Sequence, residues 1–211
     1  MKFVIVSGGR NPSLNLLKEE LLNSNSVICA DSGANSLYEY KIYPDYIIGD
    51  LDSIKEEALA FFKNTNTEIL QYPPEKDYTD TEIAVDTAIS LGAEEIVLLG
   101  CTGSRMDHLM GNLGMLLKCL RKNIVATIKD DNNLIMITDK SITLDGSSGT
   151  TFSLVAYFSD VYNLTIRGAK YLLKDYFLKI GDPITISNEF LEQKVNIEFT
   201  KGILLIIFPK D

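Results

Sequence analysis

Tryptophan is absent from the 211 residues, histidine occurs once, and cysteine occurs three times. A single histidine excludes a multi-histidine metal centre and any chemistry run by a histidine pair, so carboxylates must hold whatever metal this chain uses. Cys29, Cys101 and Cys119 are odd in number and lack CxxC spacing, which points to a reducing compartment such as the cytoplasm. Positive charge is also scarce: 20 Lys+Arg stand against 29 Asp+Glu, a net charge of −9. That balance gives no electrostatic grip on nucleic acid or an anionic membrane. Long apolar runs are missing too. No window reaches the roughly 18 residues that span a bilayer, and the segment MKFVIVSGGR has neither the apolar length nor the cleavage signal of a secretory leader.

What is present is ordinary for a globular protein: 45% hydrophobic and 23% charged residues, enough chain for a substantial core and one or two domains. Up to about residue 125, short apolar runs alternate with helical patterns. Lys2–Val6, Val27–Ala30, Tyr46–Ile48, Glu68–Gln71 and Ile96–Leu99 read as strands. Pro12–Leu22, Asn35–Tyr40, Ile54–Phe62, Thr79–Leu91 and Met106–Leu120 read as helices. This alternation predicts a three-layer α/β domain with a mostly parallel sheet. Beyond it the helical pattern stops. Ile124–Lys129, Leu134–Thr138, Thr151–Tyr157, Leu164–Arg167, Thr185–Ile186, Val195–Phe199 and Ile203–Phe208 are β-branched and aromatic runs separated by turn residues. They predict an all-β, sandwich-like second domain. The expected domains are 1–125 and 126–211, with the seam somewhere in 122–140 and no linker of biased composition.

In a parallel sheet, ligands gather at the carboxyl ends of the strands. Four successive strand ends carry Asp31 in Asp31-Ser32-Gly33-Ala34-Asn35, Asp50 and Asp52 in Gly49-Asp50-Leu51-Asp52-Ser53, Asp77 and Asp80 in Lys76-Asp77-Tyr78-Thr79-Asp80, and Asp107 in Gly103-Ser104-Arg105-Met106-Asp107-His108. Gathered carboxylates repel unless a cation sits among them. Oxygen ligands without His or Cys favour Mg²⁺ or Ca²⁺, and Mg²⁺ is characteristically shared with a substrate's phosphates. Each piece also has a plainer role. Asp52-Ser53 can cap a helix, and Thr79-Asp80-Thr81-Glu82 fits a capping box. Gly103-Ser104-Arg105, opening a helix, and Gly8-Gly9-Arg10-Asn11, after the first strand, can each bring backbone N–H groups and a guanidinium to a phosphate or be mere turns. His108 can simply anchor neighbours, and Tyr171, Tyr176 and Phe177 can be core. No GxGxxG or Walker sequence occurs. The recurrence of Asp at four equivalent positions weighs against chance capping.

These four motifs, in this order and spacing, resemble the thiamine pyrophosphokinase family. Gly168-Ala169-Lys170-Tyr171-x-Leu173 and Ile186-Ser187-Asn188-Glu189 resemble that family's second-domain signatures. The resemblance implies Mg²⁺-dependent transfer of pyrophosphate from ATP to thiamine, with release of AMP, by a homodimer that binds thiamine between subunits. It implies Asp50, Asp52 and Asp80 as metal ligands. Gly103, Ser104, Arg105 and Asp107 fall on the nucleotide side, Ser187 and Asn188 on the thiamine side. Ser104 stands where the family often has Gly, and no Trp exists to stack on thiamine. In such a displacement Arg105 takes developing charge, and Asp77 or Asp31 accepts the hydroxyl proton. Two other classes share parts of the pattern: an Asp-x-Asp nucleotide-sugar transferase, and a nucleotide- or thiamine-sensing module without turnover. A metal-dependent phosphatase lacks support, because Ser7-Gly8-Gly9-Arg10 follows the first strand where its aspartyl nucleophile belongs.

Overall fold

Apolar segments buried on both faces are the hallmark of parallel strands, and four of them form the centre of the first sheet, flanked by two less buried strands. In the computed structural model, which describes residues 1–210, the order along the chain is β1 (Lys2–Val6), α1 (Leu14–Leu21), β2 (Ser26–Ala30), α2 (Gly33–Glu39), β3 (Tyr46–Gly49), α3 (Glu56–Phe62), β4 (Glu68–Gln71), α4 (Asp80–Ser90), β5 (Glu95–Leu99), α5 (Met106–Leu120) and β6 (Val125–Lys129). The sheet order is β4-β3-β2-β1-β5-β6, and every pair is parallel. Alternate side chains Val4, Val6, Cys29, Ile47, Val97 and Leu99 pack with Leu17, Leu37 and Phe62 from α1, α2 and α3. Helix α4 lies against β1, β2 and β3, and α5 against β6. Three layers result, as the sequence pattern predicts.

The strand order reverses at β1. From there the chain moves outward to β4, and α4 then returns it to β5 on the other side. That makes the β1/β5 crevice the switch point at which such sheets bind ligands. Beyond the strands the two loops stay joined: Gly9 N–H donates to the Gly100 carbonyl at 2.7 Å and Arg10 N–H to the Thr102 carbonyl at 2.6 Å. A Cβ on Gly9 would lie 2.3 Å from the Thr102 carbonyl oxygen, so only glycine permits this approach.

One expectation is corrected here. Ile124–Lys129, read as the opening strand of an antiparallel domain, forms β6 over Val125–Lys129, which pairs parallel with β5 and completes the first sheet. Its β-branched content does not reveal direction; what decides is the preceding fifteen-residue α5, which is the crossover of a βαβ unit. The chain divides into units Met1–Asp131 and Asn132 onward.

The second unit contains β7 (Asn133–Thr138), β8 (Ile142–Asp145), β9 (Thr151–Arg167), β10 (Leu173–Leu178), β11 (Asn188–Glu189), β12 (Lys194–Glu198) and β13 (Lys201–Pro209). All of their pairings within the unit are antiparallel. The 17-residue β9 pairs with β11 and β13 along its first half and with β10 and β12 along its second. One bent strand thus serves two sheets, with Phe152, Leu154, Leu164, Ile166, Phe190, Val195, Ile197 and Leu204 buried between them. Thr185–Ile186, expected as a strand, is a turn; Thr185 Oγ1 instead donates to the Leu154 carbonyl at 2.6 Å.

Candidate active site

The loops after β1, β2, β3 and β5 and the start of α4 line a cleft of about 980 Å³ in the first unit. Asp31, Asp50, Asp80, Gly103, Ser104 and Arg105 are among its lining residues, together with Arg10, Lys76, His108, Asn112 and Asp130. Asp31, Asp50 and Asp52 each offer a carboxylate oxygen within 4.8 Å of the others, a set able to hold a metal ion. The backbone that aims them is held in left-handed conformations, φ +46° at Asp31 and +71° at Leu51, uncommon for residues with a Cβ. Asn35 shapes the same turn from α2, donating from Nδ2 to the Ser53 carbonyl at 3.0 Å and accepting from Lys55 N–H at 2.9 Å. Asp52 N–H donates to Asp50 Oδ1 at 3.2 Å.

Asp80 reaches the same region from another element. Thr79 caps α4, its hydroxyl accepting from Glu82 N–H at 3.1 Å. The reciprocal half of the capping box is absent: the Glu82 carboxylate pairs with Lys118 at 3.0 Å. Asp80, in the first helical turn, points back toward β3. A Cβ on Gly49 would sit 3.2 Å from Asp31 Cβ and 3.3 Å from Asp80 Cγ. Glycine at that point lets the two acidic residues close in on either side of it. Asp80 also pairs with Lys76 Nζ at 3.0 Å. Burial pushes the Asp31 carboxyl above its ordinary range, with repulsion from Asp80 and Asp50 adding to it. Its Oδ1 is buried with no hydrogen-bond partner.

The remaining expected residues are placed differently. Arg105 extends from the mouth of the cleft and donates to both oxygens of Asp107, at 3.2 Å from Nε and 2.5 Å from Nη2. That bond holds the Asp107 carboxyl down at about 2; Asp107 orients the guanidinium and does not itself line the cleft. Asp77 is exposed on the loop, outside the lining. Ser187 and Asn188 lie in the second unit. Ser187 takes φ +56°, and its N–H donates to Ser153 Oγ at 2.9 Å. Asn188 is buried, its Oδ1 accepting from Tyr171 N–H at 3.0 Å and its Nδ2 donating to the Tyr171 carbonyl at 2.8 Å. Its amide is therefore spent on presenting Tyr171, whose ring is exposed, rather than left free for a ligand.

Sequence reasoning missed Lys76, Asn112 and Asp130 as site residues and left Arg10 undecided. Asn112 Nδ2 donates to the Cys101 carbonyl at 2.8 Å, and Thr102 Oγ1 donates to Asp130 Oδ2 at 2.7 Å. Both brace the β5 loop, Asn112 from the helix α5 that follows it and Asp130 from just beyond β6. Only Gly8-Gly9, flagging a close backbone approach just before Arg10, carried a readable signal.

Comparison with known proteins identifies the family and the fold. Residues 17–128 match the family model described as the thiamin pyrophosphokinase catalytic domain, and 139–204 match its vitamin B1 binding domain. The thiamine pyrophosphokinase of Bacillus subtilis is 31% identical over 186 residues, 87% of each chain. Its crystal structure superposes with a TM-score of 0.90 over all of both chains, at 29% identity. A thiamin pyrophosphokinase from Geobacillus thermodenitrificans superposes at 0.85, with 30% identity over 100% of this chain and 98% of that one.

Proposed function

The chain belongs to the thiamin pyrophosphokinase family, and on that premise we propose that it moves the β,γ-pyrophosphoryl group of ATP onto the hydroxyl of thiamine. The bond formed joins the hydroxyl oxygen to the β-phosphorus. The bond broken is the one from that phosphorus to the oxygen bridging it to the α-phosphate, and AMP leaves. The observation that carries the proposal is the convergence of Asp31, Asp50 and Asp52 within 4.8 Å, beside a cleft at the sheet's switch point.

A buried, unpartnered Asp31 Oδ1 among carboxylates is the donor set a hard divalent cation requires, so these residues fit Mg²⁺. When bound, Mg²⁺ neutralises phosphate charge and fixes the geometry of the displacement. This reading adds Asp31 to the expected ligands Asp50, Asp52 and Asp80, the last reaching the other three from the start of α4. Arg10 and Arg105 bring two guanidiniums to the same cleft, where they bind phosphate oxygens, and Asp107 keeps Arg105 extended. Gly103 and Ser104 let the nucleotide approach the backbone ahead of α5. With Asp31 engaged as a ligand, the hydroxyl proton falls to Asp77, which stands exposed between the lining residues Lys76 and Tyr78 and must turn inward when substrate binds. Ser187 and Asn188 serve thiamine, Asn188 by holding Tyr171 as the flat surface that a missing tryptophan would otherwise supply. A homodimer in a reducing cytoplasm fits the three buried free thiols and the exposed apolar side chains of the second unit. Among the described residues, no helix is long and apolar enough to cross a membrane.

The test is incubation with ATP, Mg²⁺ and thiamine. AMP and thiamine diphosphate should appear in equal amounts, and Asp52→Ala should abolish both while keeping the far-ultraviolet circular dichroism of the parent. Release of ADP or of inorganic phosphate instead of AMP would overturn the reading, as would an active Asp52→Ala.

A further inference from the structure

The loop between β4 and α4 places a cation on the acidic centre. Lys76 Nζ lies 3.0 Å from Asp80 Oδ1, and the two side chains are only 12% and 23% exposed. Nζ also donates to the Pro73 carbonyl at 3.3 Å. Asp80 Oδ1 is closed to solvent and receives no hydrogen bond of proper geometry, so the ammonium compensates it by charge rather than by a directed bond. The pair spans i to i+4 but lies at a loop–helix junction, with Lys76 four residues ahead of the first residue of α4. Lys76 is thus carried by a segment with no regular structure of its own. Both residues line the same cleft as Arg10 and Arg105.

We propose that Lys76 is an exchangeable counter-ion that makes metal and nucleotide bind together. The proposal rests on the reading that this cleft takes a divalent cation with a polyphosphate. In the empty site the ammonium neutralises Asp80 and competes with a free divalent cation. When the cation arrives with a nucleotide, Asp80 turns to the metal and the ammonium turns to the phosphate oxygens of the same cleft. A lysine suits this exchange: its charge is compact, its stem flexible, and it binds phosphate as a point charge. Lys76 therefore lowers affinity for the bare ion and raises affinity for the ion–nucleotide pair. The two effects together are a positive coupling between the ligands.

Mn²⁺ binding to the full chain, followed by electron paramagnetic resonance, tests this without turnover. Lys76→Met keeps the stem and removes the charge. In the absence of nucleotide it should bind Mn²⁺ about 5-fold or more tightly than the parent. With the non-transferable α,β-methylene analogue of ATP present it should bind about 5-fold or more weakly, the lower end of ordinary coupling energies. Lys76→Arg, which keeps the charge, should stay near the parent without nucleotide. Two shifts of the same sign in Lys76→Met, or no shift at all, overturn the proposal. Asp80→Asn separates the layers. Unchanged Mn²⁺ affinity in that variant removes Asp80 from the metal site and sinks the exchange, while leaving pyrophosphate transfer to the AMP assay.

Discussion

Asp31 shows what one residue's placement costs the empty fold. Its φ of +46°, its buried and unpartnered Oδ1 and its acidic neighbours Asp50 and Asp52 all cost free energy when nothing binds. Asparagine tolerates the same backbone and carries no charge. Asp31→Asn should therefore raise the unfolding temperature in chelator, by a stability gain below about 1 kcal/mol because the residue is only partly buried. It should lose the further rise that Mg²⁺ gives the parent. Scanning calorimetry with and without Mg²⁺ reads both effects; a lower midpoint in chelator, or an undiminished response to Mg²⁺, contradicts this account of the site. Asp31, Asp50, Asp52, Asp80 and Arg105 were legible in the sequence because each follows a strand end, and a parallel sheet sends every such end to one edge. The tasks of Asn188 and Lys76 were not legible. Asn188 spends its amide on Tyr171, 17 residues away, a partner that only the fold brings near. Lys76 meets Asp80 only four residues on, but in a loop ahead of α4 whose conformation no periodicity reveals.

Elements separate in the same way. Lys2–Val6 and Met106–Leu120 keep the bounds their periodicity predicts, since burial on both faces of a strand, or along one stripe of a helix, leaves a strong pattern. β8 and β10 were not anticipated, because Ile142–Asp145 and Leu173–Leu178 each bury only one side chain fully. β9 was read as two strands, because Asp160 and Asn163 look like turn residues. The chain instead runs through them with φ +57° at Asn163, opposite register shifts in β13, as a bulge does. At this scale Glu20 does the joining. It is buried on α1 and pairs with Lys2 of β1 at 2.9 Å and Lys129 of β6 at 2.5 Å. Burial pushes its carboxyl up, but the bonds to Lys129 and Lys2 outweigh that and hold it below the ordinary value of 4.5. A lowered carboxyl stabilises the fold above its unfolded-state range and loses that contribution as pH falls through the folded value. Glu20→Gln should cost about 2 kcal/mol at pH 7, measured by urea unfolding, and the difference from the parent should shrink below about pH 4.5. A cost that is the same at both pH values would show that the ion pairs are not its source.

The whole molecule poses the question of what covers the second unit. Eight large apolar side chains between Tyr162 and Leu191 are at least 40% exposed, among them Leu172 at 66% and Ile184 at 53%. A contiguous apolar patch marks a surface that meets another protein, and in the proposed homodimer these side chains supply it. A net charge of −9 opposes association of two identical chains at long range, so burial of apolar surface must drive it, and added salt should strengthen it. The parent should sediment at equilibrium as twice the 23.5 kDa chain at micromolar concentration. Leu172→Glu combined with Ile184→Glu puts charge on that surface without touching the buried cluster around Phe152 and Phe190. This variant should sediment as a single chain with an unaltered unfolding midpoint. If the thiamine site is completed by the second subunit, its KM for thiamine should rise while its affinity for the ATP analogue stays that of the parent, because the cleft proposed for the nucleotide is lined wholly by the first unit. A parent that sediments as one chain, or a double variant that still pairs, places these apolar side chains outside any interface between copies.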